Sequence, residues 1–192
     1  MKILIATHNK HKLTEMARIL SPMGYEVVTD TDIGIELTDV EETGTTFMEN
    51  ARIKAESGCK ESGLICIADD SGLCVDALGG EPGVYSARYS GVHGDDEGNI
   101  VKLLENLDGV ADEKRTAYFA CAICVSFPDG KEITAEGKCH GMIGYEKKGI
   151  NGFGYDPVFM VGDKSLAEMS AEEKDAISHR GNALKVLEEK LR

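Results

Sequence analysis

Lys2-Ile3-Leu4-Ile5-Ala6, then Thr7-His8-Asn9-Lys10-His11-Lys12, then Leu13, Met16, Ala17 and Leu20 are the residues that set the fold class. The short apolar run suits a central strand. The polar stretch after it is a tight loop, and the apolar residues beyond recur at helical spacing until Gly24 ends the pattern. Moving outward, Tyr25 to Thr29 is predicted as a second strand. Thr46-Phe47-Met48-Glu49 is a capping box that opens a helix carrying Phe47, Met48, Ala51 and Ala55, with Gly63 at its end. Leu64 to Ala68 is another buried-type strand. It runs into Asp69-Asp70-Ser71-Gly72, so that two carboxylates are expected at a strand end, with glycine turning the chain.

Farther along, residues 79–98 are rich in glycine and charge and are expected to be loop with little regular structure, followed by a helix from about Asp95 to Leu107. Pro128-Asp129-Gly130 between two long strands is a hairpin turn, because Pro presets φ and Gly accepts positive φ. After the glycine-dense run 149–157, Val158 to Val161 is predicted as a strand, and Ser170-Ala-Glu-Glu173 as a second capping box. A break is expected near Gly181, with Ser178 capping the final helix. Strands alternating with helices, then a hairpin, indicate an α/β fold with a mixed sheet, whose function sits where loops leave strand ends.

With 192 residues, 42% of them hydrophobic, the chain is of ordinary single-domain size and long enough to bury roughly 70% of its unfolded surface. A formal charge of −13 disfavours broad binding along a nucleic-acid backbone but leaves room for one local basic pocket. No apolar run approaches a membrane span or a signal h-region, which is the pattern of a cytoplasmic protein, and the six cysteines are expected as reduced thiols. Within the strand 116–127, Cys121 and Cys124 are three residues apart and face opposite ways, so they are expected as small buried hydrophobes.

Polar groups collect in four places. Thr7 to Lys12 precede a helix whose N-terminal amides, dipole and lysines suit an anion, although a solvated polar loop fits the same pattern. Asp69 and Asp70, with Glu41 and Glu42 before the preceding helix, offer hard oxygen ligands suited to Mg²⁺ or Mn²⁺; a solvated turn is the alternative for the two glutamates. Phe153-Gly154-Tyr155-Asp156 either stacks on a base or plugs a core edge. Ser178-His179-Arg180 follows Lys174 by one helical turn. Phosphate, metal, ring and base-edge contacts together suggest a nucleoside triphosphate.

Six motifs in order now meet a known family. Thr7-x-Asn9-x-x-Lys12, Glu41-Glu-Thr-Gly-x-Thr46-Phe with Glu49-Asn50-Ala51 and Lys54-Ala55, Ala68-Asp-Asp-Ser-Gly-Leu73, Pro82-Gly83-x-Tyr85-Ser-Ala-Arg88-Tyr89, Gly152-Phe-Gly-Tyr-Asp-Pro157 and Glu173-Lys174-x-x-x-Ser178-His-Arg-Gly181 resemble the inosine triphosphate pyrophosphatase family (Ham1-like, XTP/dITP diphosphatase). The resemblance implies a mixed central sheet with flanking helices, two lobes enclosing a nucleotide cleft, as a single domain over residues 1–192. It also implies a homodimer that hydrolyses non-standard purine nucleoside triphosphates to monophosphate and pyrophosphate, with Mg²⁺ (or Mn²⁺) as cofactor.

By motif position, Thr7, His8, Asn9, Lys10, His11 and Lys12 resemble the triphosphate loop, and Glu41 and Asp70 the metal ligands, with Asp70 also the proton acceptor. Ser71 touches substrate, Phe153, Gly154, Tyr155, Asp156, Lys174, His179 and Arg180 resemble the nucleoside-binding set, and Lys54 adds a phosphate contact. Arg180, with His179, is expected to donate to the 6-oxo group of the base. His11 departs from the family, which often has a glycine before the loop lysine. Two rivals remain: a Maf-type pyrophosphatase of other base specificity, which Ser178-His179-Arg180 disfavours, and a nucleotide-binding regulator, which Glu41 and Asp70 disfavour.

Overall fold

The computed structural model describes residues 2–191. In chain order its elements are β1 (Lys2–Ile5), α1 (Lys10–Leu20), β2 (Glu26–Val28), α2 (Asp30–Ile33), α3 (Phe47–Ser62), β3 (Cys66–Val75), α4 (Asp96–Asn106), β4 (Thr116–Ser126), β5 (Glu132–Ile143), β6 (Phe159–Val161), β7 (Lys164–Ser165), α5 (Ala171–Ile177) and α6 (His179–Leu191). The strands form a seven-stranded sheet in the order β2-β1-β3-β4-β5-β6-β7. β1 pairs in parallel with β2 and β3, whereas β6 pairs antiparallel with β5 and β7, so the sheet is mixed.

Both predicted capping boxes form, at Thr46 with Glu49 and at Ser170 with Glu173. Gly63 closes α3 in the left-handed conformation. Around the hairpin turn the Phe127 amide donates to the Lys131 carbonyl at 2.9 Å. Two expectations need correction. The chain does not turn at Gly72: β3 continues through both aspartates to Val75. The break before the last helix falls at Ser178, whose extended backbone separates α5 from α6, and Gly181 lies inside α6. The stretch 79–98 also holds a 3-10 helix, Gly83–Arg88.

The described chain divides into two compact units, one of residues 2–70, 121–137 and 180–191, the other of 71–120 and 138–179. In the first, the alternation of strand side chains separates two cores. Ile3 and Ile5 of β1, Ile67 of β3 and Cys121, Ile123 and Val125 of β4 pack with Met16 and Leu20 of α1 and Leu184 and Leu187 of α6. Leu4, Ala68, Ala122 and Cys124 pack with Ala51, Ala55 and Cys59 of α3. Cys121 and Cys124 therefore lie in different cores, and all six cysteines are free and buried. The second unit has its own core, with Leu73, Leu103, Phe119 and Phe159 among its members.

Candidate active site

Because β3 runs straight through Asp69 and Asp70, alternation sends the two carboxylates into different surroundings. Asp69 follows Ile67 onto the face covered by α1 and α6. Its Oδ2 accepts from Arg180 Nε at 3.3 Å and Nη2 at 2.9 Å, and Lys12 Nζ stands 3.3 Å away. Cys121 Sγ donates to the same oxygen at 3.7 Å. Burial by itself would raise the Asp69 carboxyl, but Lys12, Arg180 and Lys54 outweigh it and hold the group well below the usual carboxylate range. Arg180 in turn donates through Nη1 to Glu15, a buried acid of α1. The arginine expected to read a base is buried, with its guanidinium on two acids.

Asp70 follows Ala68 onto the face covered by α3. Asn50, fully buried, donates through Nδ2 to Asp70 Oδ2 at 3.0 Å. Lys54, one turn farther along α3, lies 3.6 Å from Asp70 Oδ1 and donates to Glu42 Oε1 at 2.6 Å. Burial raises the Asp70 carboxyl, Lys54 and Lys12 only partly offset it, and Glu42 adds to the rise. The Lys54 ammonium is held charged: burial opposes this, but Asp70, Asp69 and Glu42 prevail. Glu41 is exposed, so the glutamate brought to Lys54 is Glu42.

At the start of α1, Asn9 is the N-cap, and its Oδ1 accepts from the His11 and Lys12 amides at 2.9 and 3.3 Å. Those two amides, expected to face an anion, thus have a side-chain partner, as capping asparagines provide. The Thr7 hydroxyl oxygen accepts from the Asn9 amide at 3.2 Å. His8, Lys10 and His11 are exposed, and Lys12 is the loop cation directed inward to Asp69.

The nucleoside candidates of the second unit form a group of their own. Lys174, buried, donates to Asp156 Oδ2 at 2.7 Å and lies 4.9 Å from the centre of the Phe153 ring. The Phe153 amide donates to the same Asp156 oxygen at 2.9 Å. Gly152 permits this loop: its φ is +73°, and a Cβ there would strike the Asp156 carboxylate. Phe153 is half-buried, whereas Tyr155 is a core residue whose hydroxyl donates to the Ser86 carbonyl at 2.8 Å. The Gly154 amide donates to Asp96 Oδ2 at 2.8 Å. His179 is buried and stacked on Phe119, centroids 4.8 Å apart and 15° from parallel. Ser71, half-buried, continues β3.

Among the described residues no three histidines, cysteines or acids converge as a metal cage. Mg²⁺ does not need one, since it keeps waters and takes one or two carboxylates alongside substrate phosphates. Asp70 and the acids at 41 and 42 are hard oxygen donors, and carboxylate oxygen is the donor type that Mg²⁺ and Mn²⁺ take. This donor set fits a hard divalent cation.

Asn50 and Glu15 take part in these networks beyond the residues singled out for the site, and Asp69 and Glu42, named as oxygen donors, take part as partners of cations. Asn50 carried a signal, since a polar residue amid Phe47, Met48, Ala51 and Ala55 needs a buried partner. Glu15 carried none: its partner Arg180 is 165 positions away.

The Ham1 family model matches residues 3–190. Over 188 residues the chain is 53% identical to a dITP/XTP pyrophosphatase of Bacillus licheniformis, covering 97% of this chain and 95% of that one. It is 52% identical over 194 residues to a dITP/XTP pyrophosphatase of Haemophilus influenzae, covering 99% and 98%. Among solved structures, the Ham1 protein of Staphylococcus aureus superposes with a TM-score of 0.86 at 45% identity, covering 100% of this chain and 98% of that one. A HAM1 protein of Coxiella burnetii gives 0.88 at 41%, with the same coverage. With fold, motifs and nearly the whole length in agreement, this chain belongs to the Ham1 family.

Proposed function

We propose that this chain hydrolyses non-standard purine nucleoside triphosphates, among them dITP, ITP and XTP, to the monophosphate and pyrophosphate, with Asp70 as proton acceptor. Near full-length identity to proteins named dITP/XTP pyrophosphatase supports the reaction. The observation that carries the site assignment is the split on β3, where Asp70 is buried against one amide and a shared lysine. A carboxyl raised by burial is the better base of the two, since the cations around Asp69 hold that group's proton affinity low.

In the reaction a water oxygen bonds to phosphorus and the α,β-anhydride bond breaks, its electron pair going to the departing phosphate oxygen. The water's proton passes to the Asp70 carboxylate. Lys12, with Thr7 to His11 of its loop, takes the triphosphate, and Lys54 adds a second ammonium. Glu41 and Asp70 would hold Mg²⁺ (or Mn²⁺), which would supply positive charge to offset the phosphates and make the attacking water more acidic. Ser71 touches substrate. Phe153 offers the base a ring, Gly154 and Tyr155 shape that loop, and Asp156 holds Lys174, which with His179 supplies donors for a 6-oxo group. Arg180 serves the substrate through Asp69. The enzyme acts as a single ITPase-like domain over residues 1–192, as a homodimer, on the cytoplasmic nucleotide pool; no helix of the described residues is long and apolar enough to cross a membrane.

ATP presents a 6-amino donor where inosine and xanthine present an acceptor, and leaving a buried donor unsatisfied costs about 1–3 kcal/mol. ITP should therefore exceed ATP in kcat/KM by at least ~10-fold. Pyrophosphate release across a nucleotide panel, with and without Mg²⁺, tests the reading. Metal-dependent release from dITP, ITP and XTP is expected, and orthophosphate release, or none, would overturn it.

A further inference from the structure

Asn50 is completely buried and bonds in two directions. Its Oδ1 accepts from the Gly44 amide at 2.8 Å, and its Nδ2 donates to Asp70 Oδ2 at 3.0 Å. The two partners fix which end of the amide is which, because a backbone N–H needs an acceptor and a carboxylate needs a donor. Gly44 belongs to the acidic loop with Glu41 and Glu42, so one side chain ties that loop to Asp70. The approach is close enough to require glycine: a Cβ at Gly44 would lie 2.6 Å from Asn50 Oδ1 and 2.6 Å from Glu49 Cβ. Asn50 is itself held by α3, whose first turn is fixed by the Thr46–Glu49 capping box.

We propose that Asn50 is a positioning residue for the hydrolysis: its amide sets the orientation of the Asp70 carboxylate and holds the 41–44 loop in register with it. The proposal rests on the reading of Asp70 as proton acceptor. A donor on Oδ2 stops the carboxylate rotating about its Cβ–Cγ bond, so the proton-accepting geometry exists before substrate arrives. The triphosphate and the base are assigned to other residues, so loss of Asn50 should act on chemistry more than on binding.

The test uses the full chain and three readouts: kcat and KM for ITP, equilibrium binding of the non-hydrolysable α,β-imido analogue of ITP, and the melting temperature. Asn50→Leu, which keeps the branched heavy-atom skeleton without donor or acceptor, should lower kcat roughly 10- to 100-fold, since small misplacements of a catalytic group cost up to about that much. Analogue affinity should stay within ~3-fold. Gly44→Ala, which presses on Asn50 from the loop side and leaves its donor in place, should lower kcat by a smaller factor with the same split, and it decides the matter if Asn50→Leu does not fold. Near wild-type kcat in a folded Asn50→Leu, or in Gly44→Ala where Asn50→Leu does not fold, would overturn the proposal. So would kcat, affinity and melting temperature falling in parallel, which marks a purely structural role. An inactive wild-type protein would instead overturn the pyrophosphatase reading itself.

Discussion

On the α1 and α6 face of β3, Asp69 is buried against Lys12, Arg180 and a thiol, and its carboxyl is held far below its ordinary range. On the α3 face, Asp70 has an asparagine amide and a lysine shared with Glu42, and its carboxyl is raised. One peptide bond separates a group built to stay ionised from a group with proton affinity to spare. The strand achieves this by alternation alone. Two adjacent carboxylates that would repel in a turn are sent to opposite faces of the strand, each with its own nearest cation, while Lys12 and Lys54 each act on both aspartates. Buried ion pairs are weak evidence for stability as such but costly to break, so the Asp69 face should govern integrity and the Asp70 face turnover.

The largest effect expected is on the α3 side. Asp70→Asn should lower kcat by ~10²–10⁴-fold, the range for loss of a general base, while binding of the imido analogue persists. On the other side, Asp69→Asn removes the carboxylate that Lys12 and Arg180 share, leaving Arg180 with Glu15 alone, and breaking such a buried pair costs about 3–5 kcal/mol. Urea unfolding followed by circular dichroism should register that loss; a midpoint equal to wild type would show that the network contributes nothing.

Smaller effects sharpen the contrast. Lys12→Ala should reduce kcat/KM by ~10- to 100-fold, the worth of one charge-assisted hydrogen bond, with KM and kcat both affected. Lys10→Ala, on the exposed side of the same loop, should stay within ~3-fold of wild type in steady-state assays. Equal effects of the two would mean that the wrong lysine has been directed at phosphate. Arg180→Ala should unfold at lower urea than wild type yet keep the ITP-to-ATP ratio within ~3-fold, because its guanidinium is engaged by Asp69 and Glu15. A collapse of that ratio in folded protein would return Arg180 to the base pocket.

Much of this molecule is legible in local sequence. The strand, polar loop and helix at the start, both capping boxes, the Pro128 to Gly130 turn and the separation of Cys121 from Cys124 all follow from residue types a few positions apart. What local pattern misreads is β3. Asp69-Asp70-Ser71-Gly72 has turn composition, but its aspartates have buried cations and an amide waiting, so tertiary partners override propensity. The same limit applies to the partners of Arg180: Glu15 and Asp69, which hold it, come from α1 and β3 and leave no mark at its own position. In the 153–156 loop the two aromatic residues part, with Phe153 half-buried and Tyr155 turned into the core.

The division of labour across β3 is tested most directly by measuring melting temperature and ITP turnover on Asp69→Asn and Asp70→Asn together. Asp70→Asn should melt within ~3 °C of wild type with turnover nearly abolished, whereas Asp69→Asn should melt roughly 6–12 °C lower, the shift that about 3 kcal/mol produces in a chain of this size. Two variants that lose stability and turnover in the same proportion, or an Asp70→Asn enzyme that keeps near wild-type kcat, would contradict it.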